Sequence, residues 1–111
     1  MWGIYQDYAQ AILEAGLSDA VIEFEIKDSQ TAVTVQPVPD MEIAMQNIRI
    51  LNTPPRFRYG DAVSPVSQPE RKGIISAIGW HFKEQAYLYH IAVGGKKVSR
   101  RYFENELVKR S

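Results

Sequence analysis

Residues 20–27 alternate between apolar and charged side chains, and this pattern restricts that segment of the chain to an extended conformation. In a β-strand, successive side chains lie on opposite faces, so the apolar residues share one face and the charged residues share the other. The polar segment 28–30 predicts a turn, and the β-branched segment 31–36 predicts a returning strand. We therefore expect a hairpin with one solvent-exposed face. We interpret Glu23 and Glu25 as exposed charges that discourage aggregation between strands.

The segment before this hairpin has apolar residues at helical spacing. Trp2, Tyr5, Tyr8 or Ala9, Ile12 and Leu13 fall on one stripe of a helix, and Gly16 follows as a typical residue at a helix C-terminus. The spacing predicts an N-terminal helix whose aromatic stripe packs into a core.

Two consecutive prolines interrupt the middle of the chain in segment 52–55. Prolines lack a backbone donor and force an extended path, so we interpret this segment as a joint. Residues 40–51, which precede it, have the spacing of a short helical turn that runs into a strand. We predict an acidic segment over residues 1–51 and a basic segment over residues 56–110, packed as one compact unit. No internal repeat is visible in the sequence.

The second half has the pattern of short strands separated by turns. The expected strands are residues 57–63, 73–81, 86–93, 96–99 and 106–109, with a long irregular loop over 64–72 and a tight turn over 82–85. If the longest hairpin turns at 82–85, facing residue numbers sum to about 167, so that His90 faces Ala77 and Trp80 faces Tyr87. Gly94-Gly95 tolerates the positive φ of a two-residue turn.

This order of a strand, a long loop, a three-strand meander, a single turn and a short closing strand resembles the SH3-like small barrel over residues 57–109. The residues that carry the resemblance are Tyr59-Gly60-Asp61-Ala62-Val63, Gly73-Ile74-Ile75 with Ile78, Tyr89, Ile91 and Val93, and Tyr102-Phe103-Glu104-Asn105-Glu106-Leu107. Their pattern is similar to that of small bacterial barrel domains, including the KOW barrels associated with translation and transcription.

The resemblance implies a binding module for peptides, nucleic acid or other domains. The long loop has Glu70 as its only acid, beside Arg71 and Lys72, which departs from the acidic loop of SH3 domains that bind proline-rich peptides. Together with the first half, the resemblance favours an α+β or mainly β fold. In this fold the N-terminal helix and hairpin pack on a C-terminal SH3-like barrel.

The net charge of zero conceals opposite charges in the two halves. Residues 1–48 carry eight acids and one base, a net charge of −7, whereas residues 49–111 carry twelve bases and five acids, a net charge of +7. Such asymmetry shapes the long-range field and the choice of partners, but it does not determine the fold. Either the halves neutralise each other, within one chain or across a homodimer, or the basic half binds an acidic partner.

The composition excludes several classes of protein. The chain has no cysteine, which rules out disulfides and thiolate catalysis, and its 45% hydrophobic and 23% charged content is typical of globular proteins. No apolar run approaches the ~18 residues of a membrane span, and the first residues lack the pattern of a signal peptide. We expect a cytoplasmic protein without a cofactor or metal, since the pairing sum places His81 and His90 several residues apart.

Basic and aromatic residues cluster in the second half. The candidate binding residues are Arg56, Arg58, Trp80, Tyr87, Lys96, Lys97, Arg100, Arg101 and Tyr102. Cations beside aromatic rings can hold a nucleic-acid backbone and stack its bases. Trp, Tyr and Arg are also the usual hot-spot residues of protein interfaces.

These residues leave three functional hypotheses. We predict a non-catalytic binding module of a small bacterial-type protein that acts on a protein partner, as an immunity-like protein or a regulator does. The alternative is a nucleic-acid-binding barrel that uses the basic and aromatic residues. The third is an enzyme of unrecognised type, which would need a pocket that collects His81, Glu84 or Asp61.

Overall fold

The computed structural model describes residues 1–5 and 21–110, and the chain divides into two compact units, Met1–Pro54 and Pro55–Ser111. The regular structure of the described residues consists of β-strands and two short 3₁₀ turns. Within those residues, no helix has the length and apolar character to cross a membrane.

The first unit is one antiparallel five-stranded sheet. Its strands are β1 (Trp2–Tyr5), β2 (Val21–Ile26), β3 (Thr31–Gln36), β4 (Glu42–Ala44) and β5 (Ile48–Leu51). The order in the sheet is β4-β3-β2-β1-β5, and a 3₁₀ turn (Met45–Asn47) joins the two outermost strands. The predicted hairpin is confirmed, because β2 and β3 pair across the polar turn 28–30. The turn-then-strand prediction for 40–51 is confirmed from Met45 onwards, but Glu42–Ala44 is a strand.

The core of the first unit is aliphatic and aromatic. Its buried cluster comprises Ile22, Phe24, Ala32, Ile43 and Ile48. Burial removes these side chains from water, which is the main favourable contribution to folding. The one buried polar side chain described here is that of Thr34, and its hydroxyl donates to the Val38 carbonyl and accepts from the Met41 N–H.

The predicted architecture of a helix and a hairpin packed on a barrel is wrong, because the protein has two antiparallel sheets. Trp2–Tyr5, the start of the predicted helix, forms strand β1, and the rest of that prediction, through Gly16, lies outside the described residues. The β1 strand pairs with β2 on one side and with β5 on the other, so distant segments satisfy its backbone groups. Apolar spacing over only four residues determines the conformation less strongly than backbone pairing on both sides does.

The second unit is a six-stranded antiparallel sheet. Its strands are β6 (Ala62–Pro65), β7 (Gly73–His81), β8 (Ala86–Val93), β9 (Lys96–Lys97), β10 (Tyr102–Phe103) and β11 (Leu107–Lys109). The order is β10-β8-β7-β6-β11, and β9 pairs with β8 off this path. A 3₁₀ turn (Glu104–Glu106) joins β10 to β11.

The predicted register of the long hairpin is confirmed. His90 pairs with Ala77 and Trp80 pairs with Tyr87, and a bulge near Ser76 then shifts the register by one residue. Such a bulge adds one residue to one strand and bends it locally. The turn at Gly94-Gly95 is also confirmed, with φ of 59° and 79°.

The strand predicted at 57–63 begins only at Ala62. Gly60 has a φ of 88°, and Asp61 Oδ2 accepts a hydrogen bond of 2.9 Å from the Arg58 N–H. An aspartate that bonds to backbone nearby stabilises a turn, so these residues turn before the strand begins. Phe57 is nevertheless buried, with its ring edge on the Tyr89 ring at a centroid distance of 5.2 Å.

The two units share one topology, which the sequence does not reveal as a repeat. In each unit a meander of three main strands is flanked by two short strands, and a 3₁₀ turn joins these outer strands. Residues 42–51 and 101–110 have the same sequence of exposed, half-buried and buried positions, with Ile43 and Ile48 corresponding to Tyr102 and Leu107. Burial periodicity is therefore retained where residue identity is not.

Candidate binding surface

Three basic side chains meet on the outer face of the second sheet, and we call His90, Lys97 and Arg101 the basic cluster. His90 belongs to β8, and Lys97 of β9 pairs with Ala92 two residues further along that strand. Tyr102 pairs with Tyr89, which places Arg101 beside His90. Lys97 and Arg101 are exposed, and within the described part of the chain neither side chain has an ion-pair or hydrogen-bond partner.

The electrostatics of His90 reflect this arrangement. Burial lowers the pKa of His90, and the positive charges of Arg101 and Lys97 lower it further. A cation beside an imidazole disfavours its protonated form. The cluster therefore presents two permanent positive charges around a ring that a bound anion would help to protonate.

A row of two alanines and one isoleucine leads across the sheet to Lys97 of the basic cluster. Ala62, Ile74, Ala92 and Lys97 pair in succession across β6, β7, β8 and β9 and so share the outer face. Ile74 is 52% exposed, and it lines a depression of about 580 Å³ whose rim includes Lys72. An exposed isoleucine among small neighbours leaves room for an apolar side chain of a partner.

The other predicted cations are distributed around the second unit. Arg56 and Arg58 are exposed in the segment that enters this unit, and Lys96 is exposed beside Val93. Arg100 is engaged within its own unit, with an ion pair of 2.8 Å to Glu106 and its guanidinium 4.8 Å from the centre of the Tyr102 ring. These four residues do not join the basic cluster.

The predicted aromatic residues lie mainly inside the unit. Tyr102 is 2% exposed and Tyr87 is 5% exposed, and burial with the charge of Glu104 raises the pKa of Tyr87 to about 12. Trp80 is half-buried, with its ring edge-on to Tyr87 at 5.0 Å. The rings of Tyr87 and Tyr102 are thus packed in the core and are not open platforms for stacking bases.

The residues considered for catalysis occupy turns. His81 Nδ1 accepts a hydrogen bond of 3.0 Å from the Glu84 N–H, and Asp61 accepts from the Arg58 N–H. None of His81, Glu84 and Asp61 lines the depression beside Ile74 or the depression of about 680 Å³ near Thr31 in the first unit. Among the residues that the structure describes, no three acids or histidines converge on a point where a metal would bind.

Sequence reasoning missed the outer face that contains Ile74. The relevant signal is the alternation along β7 and β8. Ile75 and Ile91 are buried, so the residues next to each of them along the strand must face outward. That signal assigns Ile74 and Ala92 to the face of His90, but it does not show that Lys97 and Arg101 flank the same histidine.

Comparisons with known proteins identify a family without assigning a role. No curated protein and no solved structure matches the chain. A family model described as a family of unknown function, DUF6960, matches residues 40–108, from the end of the first unit through nearly all of the second. The match covers more than half of the chain, and the chain therefore belongs to the DUF6960 family.

Proposed function

We propose that this chain is a non-catalytic binding protein whose second unit holds an acidic segment of a protein partner. The observation that carries the proposal is the basic cluster beside exposed Ile74. Lys97 and Arg101 have no counter-charge among the described residues, and Ile74 adds an apolar contact on the same face.

A protein partner is favoured over nucleic acid by the placement of the aromatic residues. Single-stranded nucleic acid binds strongly where cations lie next to exposed rings. Tyr87 and Tyr102 are buried, so the cations of this face lack those stacking partners. An acidic peptide needs only charge complementarity and an apolar anchor, and the basic cluster with Ile74 supplies both.

The test is an NMR titration of the isotope-labelled full chain with a short poly-glutamate peptide. We expect shifts of the His90, Lys97, Arg101 and Ile74 resonances, with affinity falling about threefold or more between low and physiological salt. Lys97→Ala and Arg101→Ala should each weaken binding. Lys83→Ala removes the same charge from the exposed turn 82–85 and serves as the matched control.

A second titration with a short oligothymidine and a short DNA duplex separates the two classes of partner. Tighter binding of either oligonucleotide at the basic cluster would replace the protein proposal with the nucleic-acid one. No shift of these resonances by poly-glutamate at low salt would overturn the proposed site.

A further inference from the structure

The shared topology of the two units makes their outer faces comparable residue by residue. In the first unit Glu25, Val33 and Glu42 pair in succession across β2, β3 and β4, and we call them the acidic rung. In the second unit Ala77 pairs with His90, and Arg101 lies beyond His90. Each row includes the residue directly before the buried residue of a short outer strand. These residues are Glu42, before Ile43 in β4, and Arg101, before Tyr102 in β10.

These equivalent positions carry opposite charges. Glu42 precedes buried Ile43, and Arg101 precedes buried Tyr102, so the exposed acid of one unit corresponds to the exposed base of the other. Glu42 forms an ion pair with Lys27, whereas Glu25 is exposed on the same rung. Val33, between the two acids, is half-buried and gives the rung an aliphatic centre.

The charges of the whole units have the same relationship. Residues 1–54 carry eight acids and two bases, a net charge of −6, whereas residues 55–111 carry eleven bases and five acids, a net charge of +6. Complementary fields of this kind steer association and select partners. The acidic unit of one copy therefore has the charge that the basic unit of another copy would bind.

We propose that the partner held by the basic cluster is a second copy of this chain, which docks through its acidic rung. The inference rests on the proposed function, because it uses the same basic cluster and specifies the acidic partner. Arg101 and Lys97 of one copy face Glu25 and Glu42 of the other. Val33 of the second copy then approaches Ile74 of the first. Reciprocal contacts close a two-fold dimer, and single contacts extend a head-to-tail chain.

Association of this kind is weak and sensitive to salt. The charges on both faces are exposed, and exposed ion pairs contribute little individually because water and ions screen them. We expect the average mass of the full chain to rise with concentration at low salt and to return towards the monomer at high salt. Sedimentation velocity of the full chain over a concentration series measures both effects.

Charge exchange at the two faces provides the decisive comparison. Arg101→Glu and Glu25→Arg should each abolish self-association, because each substitution leaves the altered face with one positive and one negative charge and so cancels its net charge. An equimolar mixture should restore association, since the unaltered acidic rung of the Arg101→Glu variant then meets the unaltered basic cluster of the Glu25→Arg variant. Lys83→Glu makes the same change of charge as Arg101→Glu on the hairpin turn and should associate like the natural chain. Far-UV circular dichroism confirms that each variant is folded.

Each outcome discriminates between the two proposals. A natural chain that stays monomeric at every concentration at low salt, yet binds poly-glutamate at the basic cluster, overturns self-association and leaves the proposed function in place. Failure of poly-glutamate binding as well overturns both. Self-association that does not weaken as the salt concentration rises also contradicts docking through these faces. A variant mixture that stays monomeric contradicts it as well.

Discussion

The hydroxyl of Tyr89 donates a hydrogen bond of 2.7 Å to Glu104 Oε1, and this pair holds the entry segment of the second unit in place. The same hydroxyl accepts from the Arg56 N–H at 3.1 Å and from the Phe57 N–H at 3.5 Å, and Glu104 also accepts from Arg56. The Tyr89 side chain is fully buried. Burial raises the pKa of Tyr89, and the hydrogen bond to Glu104 raises it further, so the phenol stays protonated.

Removing this hydroxyl should destabilise the second unit. Tyr89→Phe leaves the Phe57 N–H and the Glu104 carboxylate short of a partner, and we expect a loss of about 1–3 kcal/mol in the free energy of unfolding. Urea unfolding measures the loss. Tyr59→Phe is the matched control, because its hydroxyl contacts the Ile78 carbonyl at 3.4 Å and its removal should cost less. Equal losses in the two variants would contradict a special role for the Tyr89–Glu104 pair.

Glu106 should make stability depend on pH in the acid range. Its Oε1 accepts from the Phe103 N–H at 2.9 Å and its Oε2 accepts from Arg100 at 2.8 Å, and these bonds lower the pKa of the Glu106 carboxyl below 4.5. A lowered pKa in the folded state adds stability that is present above the unfolded pKa and lost as pH falls through the folded pKa.

Glu106→Gln keeps an acceptor but removes the charge. We expect it to lower the free energy of unfolding at neutral pH by a few tenths of a kcal/mol, because the side chain is 35% exposed and water screens its charge. The difference from the natural chain should shrink at strongly acidic pH, as the carboxyl becomes protonated in the folded state as well as in the unfolded state. Unfolding curves at both pH values check this, and a difference that stays constant would argue against the charge as the cause.

Gly3 is required by the close approach of β1 to its neighbours. A Cβ at this position would lie 2.7 Å from Ile48 Cγ2 and 2.9 Å from the Arg49 carbonyl oxygen, and backbone cannot move aside as a side chain does. Gly3→Ala should therefore lower the free energy of unfolding by about 1–3 kcal/mol. Gly73→Ala, whose nearest contact is the terminal methyl of Ile91 at 3.0 Å, should cost less, and the reverse order in thermal unfolding would refute this explanation.

The basic cluster should be visible in the titration of His90. Arg101→Gln and Lys97→Gln each remove a positive charge that lowers the pKa of His90, so each should raise that pKa towards 6.5. Burial remains, so the ordinary value is not fully restored. Proton NMR of the imidazole measures the shift, with Lys83→Gln as the control that should leave the His90 pKa in place.

The sign for stability follows from the same shift. The lowered pKa of His90 in the folded state imposes a cost on stability that is absent well above pH 6.5 and grows as pH falls through the folded pKa. Arg101→Gln should reduce this cost. If the His90 pKa is the same in both variants as in the natural chain, the three side chains do not act as a cluster.

Local chemistry accounts for what the sequence predicted correctly. The hairpin over residues 21–36, the register of the hairpin over 73–93 and the turn at Gly94-Gly95 all depend on short turns between segments with β-branched or alternating residues. Once a turn is located, the pairing of its two strands follows from counting. For the same reason the sequence placed Trp80 opposite Tyr87 without any tertiary information.

Only the tertiary structure decided the features that depend on distant partners. Trp2–Tyr5 is a strand because β2 and β5 pair with it from both sides, and helical spacing contains no information about those partners. Likewise, Tyr102 is buried and Arg101 is exposed because β10 pairs with β8, which turns one side chain into the core and leaves its neighbour beside His90. The sequence by itself determined which residues alternate and where the chain turns, since these are local properties. Pairing between segments far apart in the chain determines which faces are covered and which charges meet. The free energy of that pairing cannot be read from any short stretch of the sequence.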